Sequence, residues 1–544
     1  MTGKSNHHNS RKQQGGTGNA ARTSSKNNSS GQAVASKKQG VVRLNSGRKA
    51  SQPKPTGALG DVVGTLPVEK NSEYIAEIIG IGHEGEGVGR VNGFTLFIQG
   101  ALPGERVRVL VIKLKKKFGY AKLLEVVEAS PERVEPPCEI YKQCGGCQLQ
   151  HLSYEAQLKM KRQMVIDSLE RIGKLSVLGS GTSLRVAGEQ DEHVNQDADQ
   201  GIIVHPTIGM DEPWRYRNKA QVPFAMSSDG GLVSGFYAQG SHRIIDMDTC
   251  LIQHKDNDDV VRIVKEIARG LGITAYDEST QQGLLRHVVV KIGFHTGEIM
   301  VVLVTNGERI PQADLWVERI RRAAPAVRSI CHNVNMQQTN VILGERTKVL
   351  WGSDVIHDWI GDIRFAISAR SFYQVNPVQT EVLYEKALDY AGLTGSEIVI
   401  DAYCGIGTIS LFLAKRGARH VYGVEIVEEA IADARQNAAL NDLHNVSFAV
   451  GKAEEVIPAW RAEGIVPDVI VVDPPRKGCD ASLLETMLAM RPAGIVYVSC
   501  DPATLARDLC RLVDGGYRVV EVQPVDMFPH TTHVECIVST YLVK

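Results

Sequence analysis

The chain has 544 residues, 43% hydrophobic and 23% charged, with a net charge of −1. This length exceeds what one hydrophobic core fills, so three or four domains are expected. With no run of 18 apolar residues and no apolar stretch at the N-terminus, the sequence argues against a transmembrane helix and a signal peptide, and a cytoplasmic protein is expected.

The near-zero charge hides an asymmetry. Residues 1–65 carry eleven of the 61 Lys and Arg but one of the 62 acids, Asp61. This stretch is rich in Ser, Asn, Gly, Gln and Lys and has no hydrophobic period, which predicts a disordered basic tail. A tail of about +10 binds polyanions by releasing counterions. Over 66–130, alternating runs such as "YIAEIIGIG", "GFTLFIQGAL" and "ERVRVLVIKLKKK" sit between Gly-rich turns and predict a small antiparallel β-barrel. Lys113, Lys115, Lys116 and Lys117 lie beside Phe118 and Tyr120. Charge next to aromatics suits single-stranded nucleic acid.

The segment 131–362 begins with a cysteine-rich turn, Cys138-x5-Cys144-x2-Cys147, and Cys250 follows 103 residues later. Four thiolates can hold a 4Fe–4S cluster or a structural zinc. Zinc usually takes two C-x2-C pairs, and here one pair has that spacing. In all, ten cysteines at this length do not make a disulfide framework. A helix is predicted over 153–174, and residues 179–201 read as a flexible insertion. Strands such as "LLRHVVVKIG" dominate the rest, giving a mixed α+β subdomain. Arg215, Arg217, Lys219, Arg286 and His287 are candidate RNA contacts there.

Residues 363–544 alternate strands and helices, as a doubly wound α/β domain does. In "EIVIDAYCGIGTISLFLAKRG" a strand ends at Asp401, and Gly405-Ile406-Gly407 leads into a helix. The spacing G-x-G-T disfavours a dinucleotide. The next strand, "HVYGVE", ends in Glu425, an acid suited to ribose hydroxyls. Together they read as an S-adenosylmethionine pocket. In "DVIVVDPPRKG", Asp473 precedes Pro474-Pro475, and Arg476 stands where an amino-methylating enzyme carries an aromatic. "GIVYVSCDPATLARD" puts Cys500 at a strand exit, and "DMFPHTTHVECIVSTYLVK" puts Glu535 in a final hairpin beside it. A thiol and a carboxylate fit methylation at C5 of uracil. The thiolate adds to C6, C5 becomes enolate-like and takes the methyl group, and a base then removes the C5 proton so that the thiol leaves.

From about residue 67 onward the chain resembles the bacterial RNA uracil-5-methyltransferases, specifically the 23S rRNA branch. The resemblance rests on "SFYQVNPVQ", "DAYCGIGT", "DPPRKG", "YVSCDPATLARD" and "MFPHTTHVE". It implies a Rossmann-like class I methyltransferase domain, an N-terminal TRAM barrel and a central iron–sulfur subdomain. By this likeness Gln374, Tyr403, Glu425 and Asp473 contact the methyl donor, Cys500 is the nucleophile, Glu535 the base, and Phe372 stacks on the target base. The likeness also favours a 4Fe–4S cluster on Cys138, Cys144, Cys147 and Cys250. The implied reaction is S-adenosylmethionine-dependent methylation of uridine C5 in 23S rRNA. The related tRNA enzymes typically lack the barrel and the cysteines. A non-catalytic RNA-binding or ribosome-assembly factor has no need of Cys500 and Glu535. RNA is the expected partner, with no DNA and no membrane, and a monomer is expected.

Overall fold

The computed structural model describes residues 66–179 and 201–543. The basic tail predicted over 1–65 and residues 180–200 of the predicted insertion lie outside the described residues.

Five strands close the N-terminal barrel in the order Glu73–Ile81, Gly87–Val91, Phe94–Ile98, Phe118–Glu128 and Arg106–Leu114. Alternate residues point inward, so Leu96, Ile98, Val107, Val109 and Val111 are fully buried. The barrel differs from the antiparallel expectation at one seam, because Phe94–Ile98 runs parallel to Phe118–Glu128. The last two strands form a hairpin, and closure brings its second arm alongside the third strand in the same direction. Alternation within strands reports burial and is blind to such a closing pair.

A seven-stranded sheet forms the centre, in the order Arg346–Gly352, Val327–Val334, Ile299–Thr305, Leu285–Ile292, Lys219–Met226, Leu232–Tyr237 and Ile244–Asp246. Helices Lys255–Gly270 and Ala313–Ala323 bury Val264, Trp316 and Ile320 against Val288, Val290 and Val301 on one face. On the other face, Val289, Met300, Val302 and Val304 join a core that continues into Ile356, Phe365 and Leu383. Ile299–Thr305 is thus covered on both sides, which is why it reads as an unbroken apolar run.

The C-terminal sheet has eight strands, in the order Val446–Val450, His420–Glu425, Ile398–Ala402, Val469–Val472, Gly494–Ser499, Glu535–Leu542, Tyr517–Val525 and Ile203–Val204. Its first five strands are parallel, and Glu535–Leu542 is antiparallel to both neighbours. The last strand, Ile203–Val204, comes from the segment read as central. Helix Tyr154–Arg171 also belongs here by packing. Its Val165, Ile166 and Leu169 join Leu505, Leu509 and Val522 in one core. The helix lies within the predicted range, but Ile172 is half exposed just beyond its end.

Candidate active site

The chain order reverses between Ile398–Ala402 and Val469–Val472, and ligands of open α/β sheets bind at such a switch, outside the carboxyl ends of the strands. Three devices shape that edge. Gly405 and Gly407 adopt φ of 55° and 82°, and Gly407 caps helix Thr408–Lys415. A Cβ on Gly407 would lie 3.0 Å from the Phe448 ring and 3.2 Å from the Ala434 Cβ, so the loop needs glycine for space as well as conformation. Tyr403 takes the left-handed conformation without being glycine, at φ 68°. Such backbone strain collects at binding sites.

A cavity of about 760 Å³ opens at this edge. Gln374, Tyr403, Glu425, Asp473, Cys500, Glu535 and Phe372 all line it, so every residue expected at the donor, the base and the chemistry meets in one space. Strand register explains the pairing at its centre. Ser499 lies opposite Cys536 in the antiparallel pair, which leaves Cys500 and Glu535 side by side at the strand ends. Cys404 lines the same cavity.

Burial dominates the electrostatics. It pushes the Cys500 thiol up to about 12, with the negative charges of Glu535 and Asp473 adding and Arg476 opposing. It pushes the Glu535 carboxyl up to about 8, with Asp473 adding and Arg476 opposing. Both groups therefore hold their protons at neutral pH. Burial raises Asp473 to about 6. Asp401 rises to about 7 for the same reason, against the hydroxyl of Ser410, which donates to its Oδ2 at 2.5 Å. Glu425 Oε1 accepts from the Val427 N–H at 3.0 Å, which fixes the acid at the strand end.

A second cavity, of about 380 Å³, gathers Cys138, Cys144, Cys147 and Cys250, all free thiols. Among the described residues, no group of three or more His, Cys, Asp or Glu is spaced to hold a single metal ion. Arg217, Lys219 and Arg476 also line this cavity, and no Asp or Glu does.

The two cavities share Arg476, Phe528 and His533. Phe528 and His533 belong to the segment before Glu535, and that segment is pinned from behind. Lys161 forms a fully buried ion pair with Asp526 and donates to the Phe528 carbonyl at 3.1 Å. The N–H groups of Gln148 and Leu149, in the cysteine loop, both donate to the His530 carbonyl at 3.0 Å. The His530 ring stacks on Trp214 at 3.7 Å.

Three of the candidate RNA contacts are engaged or buried within the chain. Arg215 donates to the carbonyls of Cys250 and Gln253 and pairs with Asp258 at 2.7 Å. Arg286 donates to the carbonyls of Asn335 and Gln337 and lies 4.4 Å over the Tyr276 ring. Burial pushes His287 down to about 4, so it is neutral. On the barrel, by contrast, Phe97, Phe118 and Tyr120 form one group with centroids 5.5–5.8 Å apart, and Lys113 lies over Tyr120. Sequence reasoning gave no site role to His533 or to the Lys161–Asp526 pair. Arg476 was visible in its motif, but its place on both cavities was not.

The model of the tRNA (Uracil-5-)-methyltransferase family matches residues 276–543, and that of the TRAM domain matches 67–124. An uncharacterized RNA methyltransferase of Halalkalibacterium halodurans is 59% identical over 471 residues, covering 87% of this chain and 97% of that protein. One from Bacillus cereus is 53% identical over 474 residues, again covering 87% of this chain and 97% of the relative. Among solved structures, the tRNA (uracil-54, C5)-methyltransferase of Pyrococcus abyssi, in complex with S-adenosyl-L-homocysteine, is similar with a TM-score of 0.65 and 28% identity. That match covers 86% of this chain and 100% of the other. No described helix is long and apolar enough to cross a membrane. With its cavity at the switch point and its N-terminal TRAM barrel, the chain belongs to the S-adenosylmethionine-dependent RNA (uracil-5-)-methyltransferase family.

Proposed function

We propose that this enzyme makes 5-methyluridine in 23S rRNA, with Cys500 as nucleophile and Glu535 as base. The observation that carries the reading is the pairing of these two groups at adjacent antiparallel strand ends within the donor cavity. Phe372, 65% exposed at the rim, receives the face of a uracil taken out of its stack. Cys500 and Glu535 give up their protons to solvent water, the Cys500 thiolate adds to C6, and the electron pair moves towards C5 and O4. The donor, held by Gln374, Tyr403, Glu425 and Asp473, supplies the methyl group to C5. Glu535, as carboxylate, then takes the C5 proton, the C5–C6 double bond re-forms, and the Cys500 thiolate leaves.

Cys138, Cys144, Cys147 and Cys250 would hold a 4Fe–4S cluster. Thiolates on one tetrahedral zinc lie about 3.8 Å apart, given Zn–S bonds of about 2.3 Å. The four thiols line one cavity, and a cluster takes four such thiolates. When bound, the cluster would tie the loop of Cys138–Cys147 to Cys250.

The barrel and the cysteine cavity support rRNA as the substrate. Likeness to the Pyrococcus abyssi tRNA enzyme over the whole of that chain favours a second reading, tRNA. Nucleoside mass spectrometry of 23S rRNA and tRNA from a strain lacking the protein separates them. Loss of 5-methyluridine from 23S rRNA alone is expected. Loss from tRNA alone installs the second reading, and unchanged 5-methyluridine in both removes the proposal.

A further inference from the structure

A third cavity, of about 340 Å³, opens on the central sheet and shares no lining residue with the other two. Its walls come from the strands Lys219–Met226 and Leu285–Ile292, from Tyr237 and from the turn that begins at Tyr276. The ladder between Leu285–Ile292 and Ile299–Thr305 skips Arg286, a bulge that lets the neighbours Arg286 and His287 both line this space. Arg286 is engaged within the chain. Its guanidinium donates to the carbonyls of Asn335 and Gln337 and lies 4.4 Å over the Tyr276 ring, which backs that ring. His287 is not engaged. Its side chain makes no hydrogen bond or ion pair among the described residues, and its Nδ1 is buried without a partner.

The lining selects a flat, uncharged ligand. A phosphate finds no free cation there. Carbonyls already take up Arg286, burial keeps His287 neutral, and His242 faces Glu278 at 3.4 Å. Asp277 and Glu278, both exposed on the same lining, repel a second anion. What the cavity offers is aromatic surface, from Tyr276 and from Tyr237, which is 37% exposed. Beside these rings a neutral imidazole provides one donor and one acceptor, and a carboxylate provides acceptors. Unstacked bases are held in this way, on aromatic rings with hydrogen bonds to their edges.

Position ties the cavity to the target. Pro223 and His287 are register partners at one end of a strand pair, and Lys219 and Lys291 are partners four residues along, roughly 13 Å at 3.3 Å per residue. At that second end Lys219 lies 5.7 Å over the ring of Phe372. Lys291 is buried there and donates to the carbonyls of Ser368 and Ser371 at 2.7 and 2.9 Å, which holds the turn that leads into Phe372. About four nucleotides bridge such a gap at a stacked spacing of ~3.4 Å, and fewer when extended.

We propose that this cavity seats a second base of the substrate RNA, a few nucleotides from the target uridine, with Tyr276 as stacking surface and His287 and Glu278 as partners for the base edge. Base contacts carry sequence information that phosphate contacts lack, so the seat is a specificity site for the sequence around the target. It rests on the proposed function for the uridine on Phe372 and on the family for the RNA.

The test is equilibrium binding of the anaerobically purified full chain, without methyl donor, to in vitro transcribed 23S rRNA and separately to transcribed tRNA, across a series of potassium chloride concentrations. For the RNA that wild type binds more tightly, Y276L should lower affinity about tenfold, the loss of one stacked base. The loss should be equal at every salt concentration, since no phosphate contact is removed. Y276F should restore binding, which separates the lost ring from misfolding. Ultraviolet cross-linking of the wild-type complex, followed by peptide mass spectrometry, should place a nucleotide on Tyr276 or Tyr237. Unchanged affinity in Y276L overturns the seat, as does a flattened salt slope or cross-links confined to the barrel. Nucleoside analysis of the deletion strain judges the reaction separately. Tyr276-dependent binding with no 5-methyluridine lost keeps the seat and removes the proposed function. Loss of 5-methyluridine from 23S rRNA with binding indifferent to Tyr276 does the reverse.

Discussion

The catalytic cavity is framed by the ends of parallel strands, whereas the cysteine cavity is framed by loops that meet only in space. The first is rich in acids: Glu425 ends one strand of the sheet, Asp473 follows another, and Glu535 begins a third. The second is lined by thiols and cations without an acid. One partition, Arg476, Phe528 and His533, serves both. The contrast teaches where the chemistry gets its precision. Sheet register sets Cys500 against Glu535, while loop closure must be held by something further, either a cluster or the buried bonds behind the partition.

The largest effects should come from the catalytic side. Cys500→Ala should form no covalent RNA adduct and lose methyl transfer by several orders of magnitude. Glu535→Gln should still attack and methylate, then stall as an adduct that survives denaturing gels, since its C5 proton has no acceptor. Donor-derived radiolabel in the shifted band measures this. An adduct from Cys500→Ala, or full turnover by Glu535→Gln, would falsify the division of roles.

The cysteine side should respond in colour. Anaerobically purified protein should contain about four iron and four sulfide per chain. Cys138→Ser or Cys250→Ser should bleach it. Activity should also fall, because the cysteine loop holds the His530 carbonyl through Gln148 and Leu149. Stoichiometric zinc without sulfide would end the cluster reading.

The partition itself can be broken from behind. Lys161→Met leaves Asp526 buried without its partner and should cost about 3–5 kcal/mol in urea unfolding. A loss below about 1 kcal/mol would mean that the pair does not hold the wall.

A pH series sharpens the electrostatic half. Glu535 must be a carboxylate to act, and in the free protein it is protonated below about 8. If release limits turnover, the rate should rise about tenfold per unit up to that pH and then level off. A rate flat between pH 6 and 8 contradicts it. The smallest effect belongs to the tail: removing residues 1–65 should flatten the salt dependence of RNA binding and leave methylation at saturating RNA intact. An unchanged slope leaves the tail a solubilising segment.

Much of the catalytic site could be read before any fold was known, because each of its motifs is short and local. A strand that ends in an acid or a thiol places that side chain at the ligand edge of a parallel sheet, wherever the other strands lie. That is why Glu425, Asp473 and Cys500, singled out in the sequence, come to line one cavity. Elsewhere composition could not say how charged groups are engaged. Arg215 and Arg286 look like RNA contacts in sequence, but backbone carbonyls and Asp258 take up their guanidinium groups. Charge in a strand says nothing about which face it turns to.

The sequence by itself determined the elements, the strand-exit chemistry and the thiol count, since these follow from periodicity and spacing within a few tens of residues. Only the tertiary structure decided which distant groups meet. Lys161 and Asp526 are 365 positions apart and form one buried pair. Ile203–Val204 leaves its own segment to extend the C-terminal sheet. Arg476 serves two cavities, and Lys219 makes no hydrogen bond or ion pair among the described residues while Lys291, across the register, is satisfied. These outcomes depend on burial and on the balance of desolvation against partners, which no local pattern encodes.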